Sequence, residues 1–154
     1  DPGFKVSLLQ EWLAEQKLDV KAPAGARDAR DASKYRLLSH CTEQALVTKA
    51  PALWGKVFAA LGVPLEIVKA GCCGMCGVYG HEVGHKADSL GIFDLSWRKK
   101  LDALPSGQGV GAGQAAGARD RVLATGHSCR SQVERTLGYT PRHPVEALLE
   151  AVGE

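Results

Sequence analysis

The sequence has no long hydrophobic run and almost no net charge, and each of these absences excludes a class of protein. Its longest apolar stretches are far shorter than the roughly 18 residues of a bilayer-spanning helix, so we expect no transmembrane segment. A formal net charge of +2 over 154 residues is too small to favour nucleic acid or a charged membrane surface as a partner. No signal peptide is recognisable at the start, and we expect a cytoplasmic protein.

The sequence also lacks a G-x-G-x-x-G motif after a strand, so nothing in it predicts a site for FAD or another dinucleotide. The first residue is Asp1 rather than methionine, which favours a fragment of a longer polypeptide over a processed mature protein. Hydrophobic residues make up 45% of the chain and charged residues 23%, which is normal for a globular domain with a buried core.

The cysteines are few, odd in number and clustered. There are five, and three of them lie between Cys72 and Cys76. A disulfide framework would leave one thiol unpaired and would need an oxidising compartment. We therefore interpret the cysteines as metal ligands in a reducing compartment.

Strand-like and helix-like segments alternate along most of the chain. This alternation predicts an α/β fold in which layered helices surround a small, mostly parallel, Rossmann-like sheet. The predicted strands are residues 35–40, 65–70 and 121–125, with a short extended piece at 139–143. The predicted helices are residues 4–17, 50–61, 79–104 (one or two helices, with a break near Gly91) and 128–137, and a last helix begins at Pro144.

Two segments without apolar periodicity divide this pattern. Residues 21–33 are rich in Ala, Arg and Asp and are interpreted as a linker or long loop, so that residues 1–33 form an N-terminal helical arm. Residues 34–154 form the α/β domain. Within it, residues 105–119 are rich in glycine and offer nothing to bury, which predicts a flexible insertion that tolerates deletion.

The predicted strands place cysteines at one edge of the sheet. Cys41 follows the first strand, Cys72 and Cys73 follow the second, and Cys129 follows the third. Parallel sheets bind their ligands at the carboxyl ends of their strands, where these segments meet. We therefore expect the four sulfur atoms to lie within reach of one metal centre.

The loop Gly71–Gly77, with the sequence GCCGMCG, carries the most specific chemistry. Cys73 and Cys76 form a C-x-x-C pair, a spacing that lets one turn direct two thiolates at one metal. Cys72 and Cys73 are adjacent and cannot easily chelate one small ion, which favours a multinuclear cluster over a single zinc. The alternatives are a thioredoxin-like redox pair and, for Cys41 alone, a small buried core residue.

Residues His81–His85 (HEVGH) match the H-E-x-x-H pattern of zinc metalloproteases. Gly84 weakens the helix that this motif requires, and no third histidine follows at the extended spacing. A protease is therefore a remote alternative. We instead expect His81 and Glu82 to surround the cysteine centre without binding its metal, and His85 to face solvent.

The segment Thr125–Gln132 (TGHSCRSQ) combines a glycine turn with a helix start. Cys129 lies at the predicted amino end of this helix, where the helix dipole favours a thiolate. Ser128 is a candidate N-cap. Arg130 is a candidate partner for cluster charge or an anionic substrate, with a solvated surface arginine as the alternative.

The segments SHCTE, AGCCGMCGVYGHE, TGHSCRSQ and PRHPVEALL resemble the CCG cysteine-rich domain over roughly residues 34–152. That domain occurs in heterodisulfide reductase and in iron–sulfur subunits of glycolate, lactate and glycerol-3-phosphate oxidation. The sequences of these segments are most similar to the C-terminal part of fused flavoproteins that resemble D-2-hydroxyglutarate and D-lactate dehydrogenases. One departure is that Cys129 has no second cysteine three residues away, a gap that Cys76 or His127 would fill.

This resemblance implies a function for the cysteines. An iron–sulfur cluster, of the 4Fe–4S type or of an unusual form, or else zinc, would be bound by Cys41, Cys72, Cys73, Cys76 and Cys129. It would support electron transfer in the oxidation of a D-2-hydroxy acid, with FAD-binding and ferredoxin-like parts elsewhere in the same polypeptide. A zinc-stabilised docking module is the alternative. The fragment alone is expected to have no dehydrogenase activity.

Overall fold

The structure is a computed structural model that describes residues 3–18, 34–104 and 119–152. The predicted linker at residues 21–33, the boundary at residue 33 and most of the predicted insertion at 105–119 lie outside the described residues. Among the described helices, none is both long enough and apolar enough to cross a membrane.

Three short parallel strands form one sheet, which confirms the predicted α/β fold. They are β1 (Tyr35–Leu38), β2 (Leu65–Ile67) and β3 (Val122–Ala124). The order is β2-β1-β3, with Tyr35 opposite Leu65 on one side of β1 and Leu38 opposite Ala124 on the other. All four residues of β1 are buried, as expected for a central parallel strand that is covered on both faces.

Seven α-helices surround this sheet in the described part of the chain. They are α1 (Leu9–Glu15), α2 (Cys41–Leu46), α3 (Ala50–Ala60), α4 (Lys86–Phe93), α5 (Lys99–Asp102), α6 (His127–Leu137) and α7 (Pro144–Val152). Two 3-10 turns, Tyr79–His81 and Val83–His85, precede α4. A π-helical segment, Asp94–Arg98, joins α4 to α5.

The alternation of side chains along the strands divides the core in two. Leu37 and Leu123 point to one face, where Trp54 and Phe58 of α3 and Leu148 of α7 complete the first cluster. The second cluster lies on the other face and contains Leu38, Ala124, Phe93, Trp97, Val133 and the cysteines Cys73 and Cys129. The cysteine loop is therefore packed as part of a hydrophobic core.

Several predicted boundaries are changed by the structure. The chain stays helical through Gly91, and the irregularity that we placed there occurs instead at the π-helical segment. Helix α2 was not predicted, because it begins directly at Cys41 and leaves all its residues at least partly exposed. The predicted end of α3 is confirmed: Gly62 follows it with φ of +73°, a conformation that glycine adopts without a steric penalty.

The N-terminal helix α1 is shorter than predicted and lies against α3. Leu13, Ala14 and Leu18 pack on the first core cluster. In contrast, Phe4 and Trp12 remain 68% and 52% exposed, although their three- and four-residue spacing with Leu8, Leu9 and Leu13 would place them on one apolar face of the predicted helix. The apolar pattern of this segment therefore includes residues that remain exposed in the folded chain.

His143 fixes the start of α7. Its ring lies edge-on to Trp54, with 5.7 Å between ring centroids, and its Nδ1 atom accepts a hydrogen bond from the Val145 N–H. Burial and, secondarily, the positive charge of Arg130 lower the pKa of His143 below its ordinary value of 6.5. A protonated ring would be unable to accept the Val145 hydrogen bond, so folding favours the neutral form.

Replacing His143 with Asn should therefore make the protein less sensitive to acid. The unfolded chain takes up a proton on His143 near pH 6.5, whereas the folded chain does so only at lower pH, so stability falls as the pH drops through this range. Asn is a good N-cap and does not titrate. Urea unfolding between pH 7.5 and 5 should show a shallower loss of stability in His143→Asn, and an identical slope in both proteins would contradict this assignment.

Candidate metal centre

All five cysteines follow the carboxyl end of a strand. Cys41 is the first residue of α2 and follows β1, while Cys129 lies in the first turn of α6 and follows β3. Cys72, Cys73 and Cys76 lie in the loop between β2 and the first 3-10 turn. Because the three strands are parallel, their carboxyl ends share one edge of the sheet and the thiols meet there.

The thiol groups lie in one region and form no disulfide. The Cys72 Sγ and Cys76 Sγ atoms are 3.6 Å apart, and the nearby Cys72 thiol contributes to the raised pKa of Cys41. On the other side of the group, Cys73 and Cys129 are close enough for each thiol to shift the pKa of the other. The structure thus brings the predicted ligands together as a row of three thiols, Cys76, Cys72 and Cys41, beside a close pair. It places Cys76 against Cys72, whereas the C-x-x-C spacing suggested Cys73.

The group extends from the core to the surface. Cys73 and Cys129 are 1% and 0% exposed, and both belong to the second core cluster. Cys41 and Cys72 are half-buried, and Cys76 is exposed. A centre held by these thiols would have one side shielded from water and one side open to a partner.

Because Cys73 and Cys129 pack closely, their pKa values shift in opposite directions. A hydrogen bond from the Cys129 thiol, with further donors at the backbone of Met75 and at the Ser128 hydroxyl, lowers the pKa of Cys73 to about 7. The same hydrogen bond and burial raise the pKa of Cys129. Burial, and then the proximity of Cys72, raises the pKa of Cys41. The pair therefore favours a thiolate on Cys73 beside a protonated Cys129.

A buried polar network holds the loop from beneath. The Gln132 side-chain amide donates to both the backbone carbonyl oxygen and the hydroxyl of Ser89, at 3.1 and 3.0 Å. Arg135 donates to the Ser89 hydroxyl at 2.9 Å, to the Gln132 side-chain oxygen at 2.6 Å and to the Gly80 carbonyl. Ser89 and Gln132 are fully buried, so this network fixes α4 against α6 directly under the cysteine loop.

Gly74 lets the loop approach this network. Its φ is +86°, and a Cβ atom built there would lie 2.1 Å from the Ser89 backbone oxygen, far inside van der Waals contact. Its N–H also hydrogen-bonds the Cys72 sulfur at 3.3 Å. Cys76 has a φ of +44°, which is uncommon for a residue with a side chain. With Gly77 at +68°, the loop thus adopts three left-handed conformations.

The π-helical segment holds the start of the loop through both backbone groups of Gly71. The Gly71 N–H donates to the Ser96 hydroxyl at 2.7 Å, and the Trp97 indole N–H donates to the Gly71 carbonyl at 2.9 Å. Adjacent residues of an α-helix point about 100° apart, so one extra residue in the turn helps to present both groups to one target. No motif in the sequence predicted this role.

Two further residues line the site that the sequence did not assign to it. His40 caps α2 through a hydrogen bond from the Thr42 N–H, and its ring lies 3.3 Å from the Ser128 hydroxyl. Ser128 was a candidate N-cap, but α6 begins one residue earlier, with Gly126 in the cap position. Ser128 instead lies close to Cys73 and Cys129, where its hydroxyl acts to lower the pKa of both thiols. The sequence feature that could have identified His40 as a site residue was its position immediately before Cys41.

The residues expected to surround the centre have more varied positions. His127 is exposed at the first position of α6. Arg130 donates to the Pro141 carbonyl at 2.7 Å and forms an ion pair with Glu146 at 3.3 Å, so these contacts hold α6 against the segment leading into α7. His81 and Glu82 are both exposed in the turns that follow the loop.

The HEVGH segment does not form the helix that a metalloprotease requires. Residues 81–85 occupy two 3-10 turns, and Glu82 between them has an extended backbone with ψ of 132°. Glu82 pairs with His85 at 3.4 Å, and the His85 ring stacks on Tyr79 with 4.1 Å between centroids. The two histidines therefore do not share a helical face, which removes the geometric basis of this alternative.

The donor set suits a thiophilic metal, and its arrangement suits more than one metal atom. Thiolates are the preferred protein ligands of iron–sulfur clusters and are frequent ligands of zinc. Within residues 3–18, 34–104 and 119–152, no three His, Cys, Asp or Glu side chains form a ready-made cage for a single ion. Thiols distributed over a row of three and a separate pair fit a multinuclear centre better than a mononuclear one.

The chain is similar to part of several enzymes named D-2-hydroxyglutarate dehydrogenase. It is 42% identical to the Escherichia coli enzyme over 151 residues, which are 97% of this chain and 13% of that enzyme. The identity is 41% over 151 residues for Pantoea ananatis and 38% over 153 residues for Haemophilus influenzae. The chain thus spans only 13% to 14% of the length of these curated relatives. No family model and no solved structure matches it.

Replacing Gly74 and Gly77 with Ala in turn should separate backbone strain from steric clash. Both glycines have positive φ, +86° and +68°, but a Cβ atom at Gly77 meets no atom within 4 Å. Gly77→Ala should cost roughly 1–2 kcal/mol of unfolding free energy through strain alone. Gly74→Ala should cost clearly more, because Ser89 must move. Equal losses for the two variants in urea unfolding would contradict the close approach of Gly74 to α4.

Proposed function

We propose that this chain is the C-terminal iron–sulfur domain of a D-2-hydroxy acid dehydrogenase, with D-2-hydroxyglutarate as its substrate. In this proposal, the five cysteines hold the cluster, and FAD-binding and ferredoxin-like parts belong to the remainder of the same polypeptide. The convergence of five free thiols from three strand ends is the observation that carries the proposal.

The chemistry of the thiols supports a metal-binding role over a merely structural one. A buried cysteine alone is an ordinary core residue. Here, however, Cys73 and Cys129 are buried against each other with a strongly perturbed pKa on each, and three further thiols adjoin them. Such a group is stable when its protons are replaced by a metal centre. Five free thiols also suit a reducing compartment, for which the cytoplasm is our expectation.

Each part of the chain has a definite task in this proposal. Cys41, Cys72, Cys73 and Cys129 would be the main ligands, with Cys76 as the fifth. When bound, an iron–sulfur cluster accepts and donates electrons one at a time. The second core cluster would keep water from the Cys73 and Cys129 side, while the exposed Cys76 side would face the electron-transfer partner.

The similarity to enzymes named D-2-hydroxyglutarate dehydrogenase supports the proposed oxidation of a D-2-hydroxy acid. Oxidation of a D-2-hydroxy acid to the 2-oxo acid removes two electrons and two protons, and a flavin can accept both electrons together. A domain that handles single electrons would then connect that oxidation to an external acceptor. The matched region covers nearly all of this chain but about an eighth of the enzymes, which fits a supporting domain rather than a complete dehydrogenase.

A zinc-stabilised docking module is the second candidate, and one distance favours it. Two thiolates on one tetrahedral zinc, with Zn–S bonds of about 2.3 Å, lie about 3.8 Å apart. The Cys72 and Cys76 sulfur atoms are separated by 3.6 Å. Zinc would stabilise the domain without transferring electrons, so iron, acid-labile sulfide and visible absorbance distinguish the two candidates.

Replacing Cys73 with Ser should abolish or strongly deplete metal binding, while His85→Ala should retain it. Serine offers a hard, mostly protonated hydroxyl in place of a soft thiolate. His85 touches Tyr79 and Glu82 rather than the sulfur group. Iron and zinc per chain should be measured in both variants after anaerobic reconstitution, with His81→Ala as an intermediate case that loses at most about 10–100-fold in affinity.

The opposite result would overturn the metal centre. Loss of metal in His85→Ala with retention in Cys73→Ser would direct attention back to the HEVGH segment. Circular dichroism of both variants provides the folding control, since Cys73 lies in the second core cluster whereas His85 is partly exposed.

A further inference from the structure

The ring of His40 has a defined proton position. Its Nδ1 atom accepts a hydrogen bond from the Thr42 N–H at 3.2 Å, so Nδ1 carries no proton. The ring proton of the neutral side chain must therefore be on Nε2, which lies 3.3 Å from the Ser128 hydroxyl oxygen. His40 thus donates and Ser128 accepts.

This direction determines what the Ser128 hydroxyl does. An oxygen that accepts from His40 is left with its own hydrogen to donate, and the neighbouring groups are the sulfur atoms of Cys73 and Cys129. The result is a directed row of hydrogen bonds from the Thr42 backbone through His40 to Ser128, whose hydroxyl hydrogen remains available for a sulfur acceptor. Rows of this kind polarise each member and strengthen the last bond.

Gly126 makes room for the row. A Cβ atom at this position would lie 2.3 Å from the His40 ring and 3.1 Å from the Cys129 sulfur. The His40 backbone N–H also donates to the Thr125 hydroxyl at 2.9 Å, which ties the residue after β1 to the residue after β3. Two strand ends are thus joined by contacts that also orient the ring towards Ser128.

We infer that Ser128 donates a hydrogen bond to a cluster sulfur, and that His40 is a positioning residue that fixes the orientation of this donor and so raises the cluster's midpoint potential. This inference rests on the proposed iron–sulfur function. Reduction adds negative charge to a cluster, so a donor at sulfur stabilises the reduced state more than the oxidised state. Removing the donor should therefore make the potential more negative.

Three variants separate this role from simple packing. Ser128→Ala removes the donor, and Ser128→Thr restores a hydroxyl at the same position. His40→Asn keeps a side chain that can cap α2, because Asn is among the best N-cap residues, but it has no atom that reaches Ser128. His40 both caps α2 and contacts Ser128, and His40→Asn removes the second role while it keeps the first.

The experiment is a redox titration of the anaerobically reconstituted chain, followed by electron paramagnetic resonance, with iron content measured for every variant. Ser128→Ala should shift the equilibrium about threefold or more towards the oxidised cluster, or about 28 mV for a one-electron couple. His40→Asn should shift it in the same direction by a smaller amount. Ser128→Thr should retain the parent potential.

The double variant His40→Asn/Ser128→Ala completes the test. Because His40 acts through Ser128, the double variant should shift the potential no further than Ser128→Ala alone. A potential that is unchanged in Ser128→Ala and His40→Asn at full iron content would overturn this inference and leave the proposed function intact. Additive shifts would overturn the positioning role of His40. A parent chain that holds no cluster, or zinc only, would overturn the proposed function and this inference with it.

Discussion

The contact between the thiols is the constraint on which the rest of the site depends. Three parallel strands end at one edge of a small sheet, and the segments that follow them bring the five cysteines into one region. Thiols at this spacing must share protons or bind metal, because several thiolates so close together repel one another. The separation of the Cys73 and Cys129 acidities is a direct consequence. The site is thus a local accumulation of ionisable groups that a cationic metal centre would stabilise.

The surrounding structure holds the cysteine loop in place. Ser89, Gln132 and Arg135 form a satisfied polar network beneath the loop, and the π-helical segment holds Gly71 from the side. Buried polar groups are costly unless they are paired, so such a network specifies one arrangement of α4, α6 and the loop. The left-handed φ of Cys76 places backbone strain at the exposed end of the thiol group. The cysteine loop is thus rigidly supported on its buried side and strained on its exposed side.

The sequence was sufficient for the architecture and for the meeting of the thiols. Short apolar runs between helix-like segments identified the three described strands, and the position of the cysteines after them predicted a shared edge. The contacts around the thiols could not be predicted from the sequence, because the loop that brings Cys76 to Cys72 has positive φ values at Gly74 and Cys76. The roles of Ser89 and Trp97 depend equally on tertiary packing. The helix predicted from residue 79 was wrong over HEVGH, since these residues occupy two 3-10 turns and α4 begins only at Lys86.

X-ray absorption spectroscopy of the anaerobically reconstituted wild-type chain tests the central claim most directly, because it reports the atoms around the metal itself. The account predicts an iron edge with sulfur as the nearest neighbour and a second shell of iron, as in a multinuclear cluster held by thiolates. A zinc edge with sulfur neighbours and no metal beyond them would favour the docking module. Nitrogen and oxygen neighbours without sulfur, or a chain that retains no metal, would contradict a metal centre built from these five cysteines.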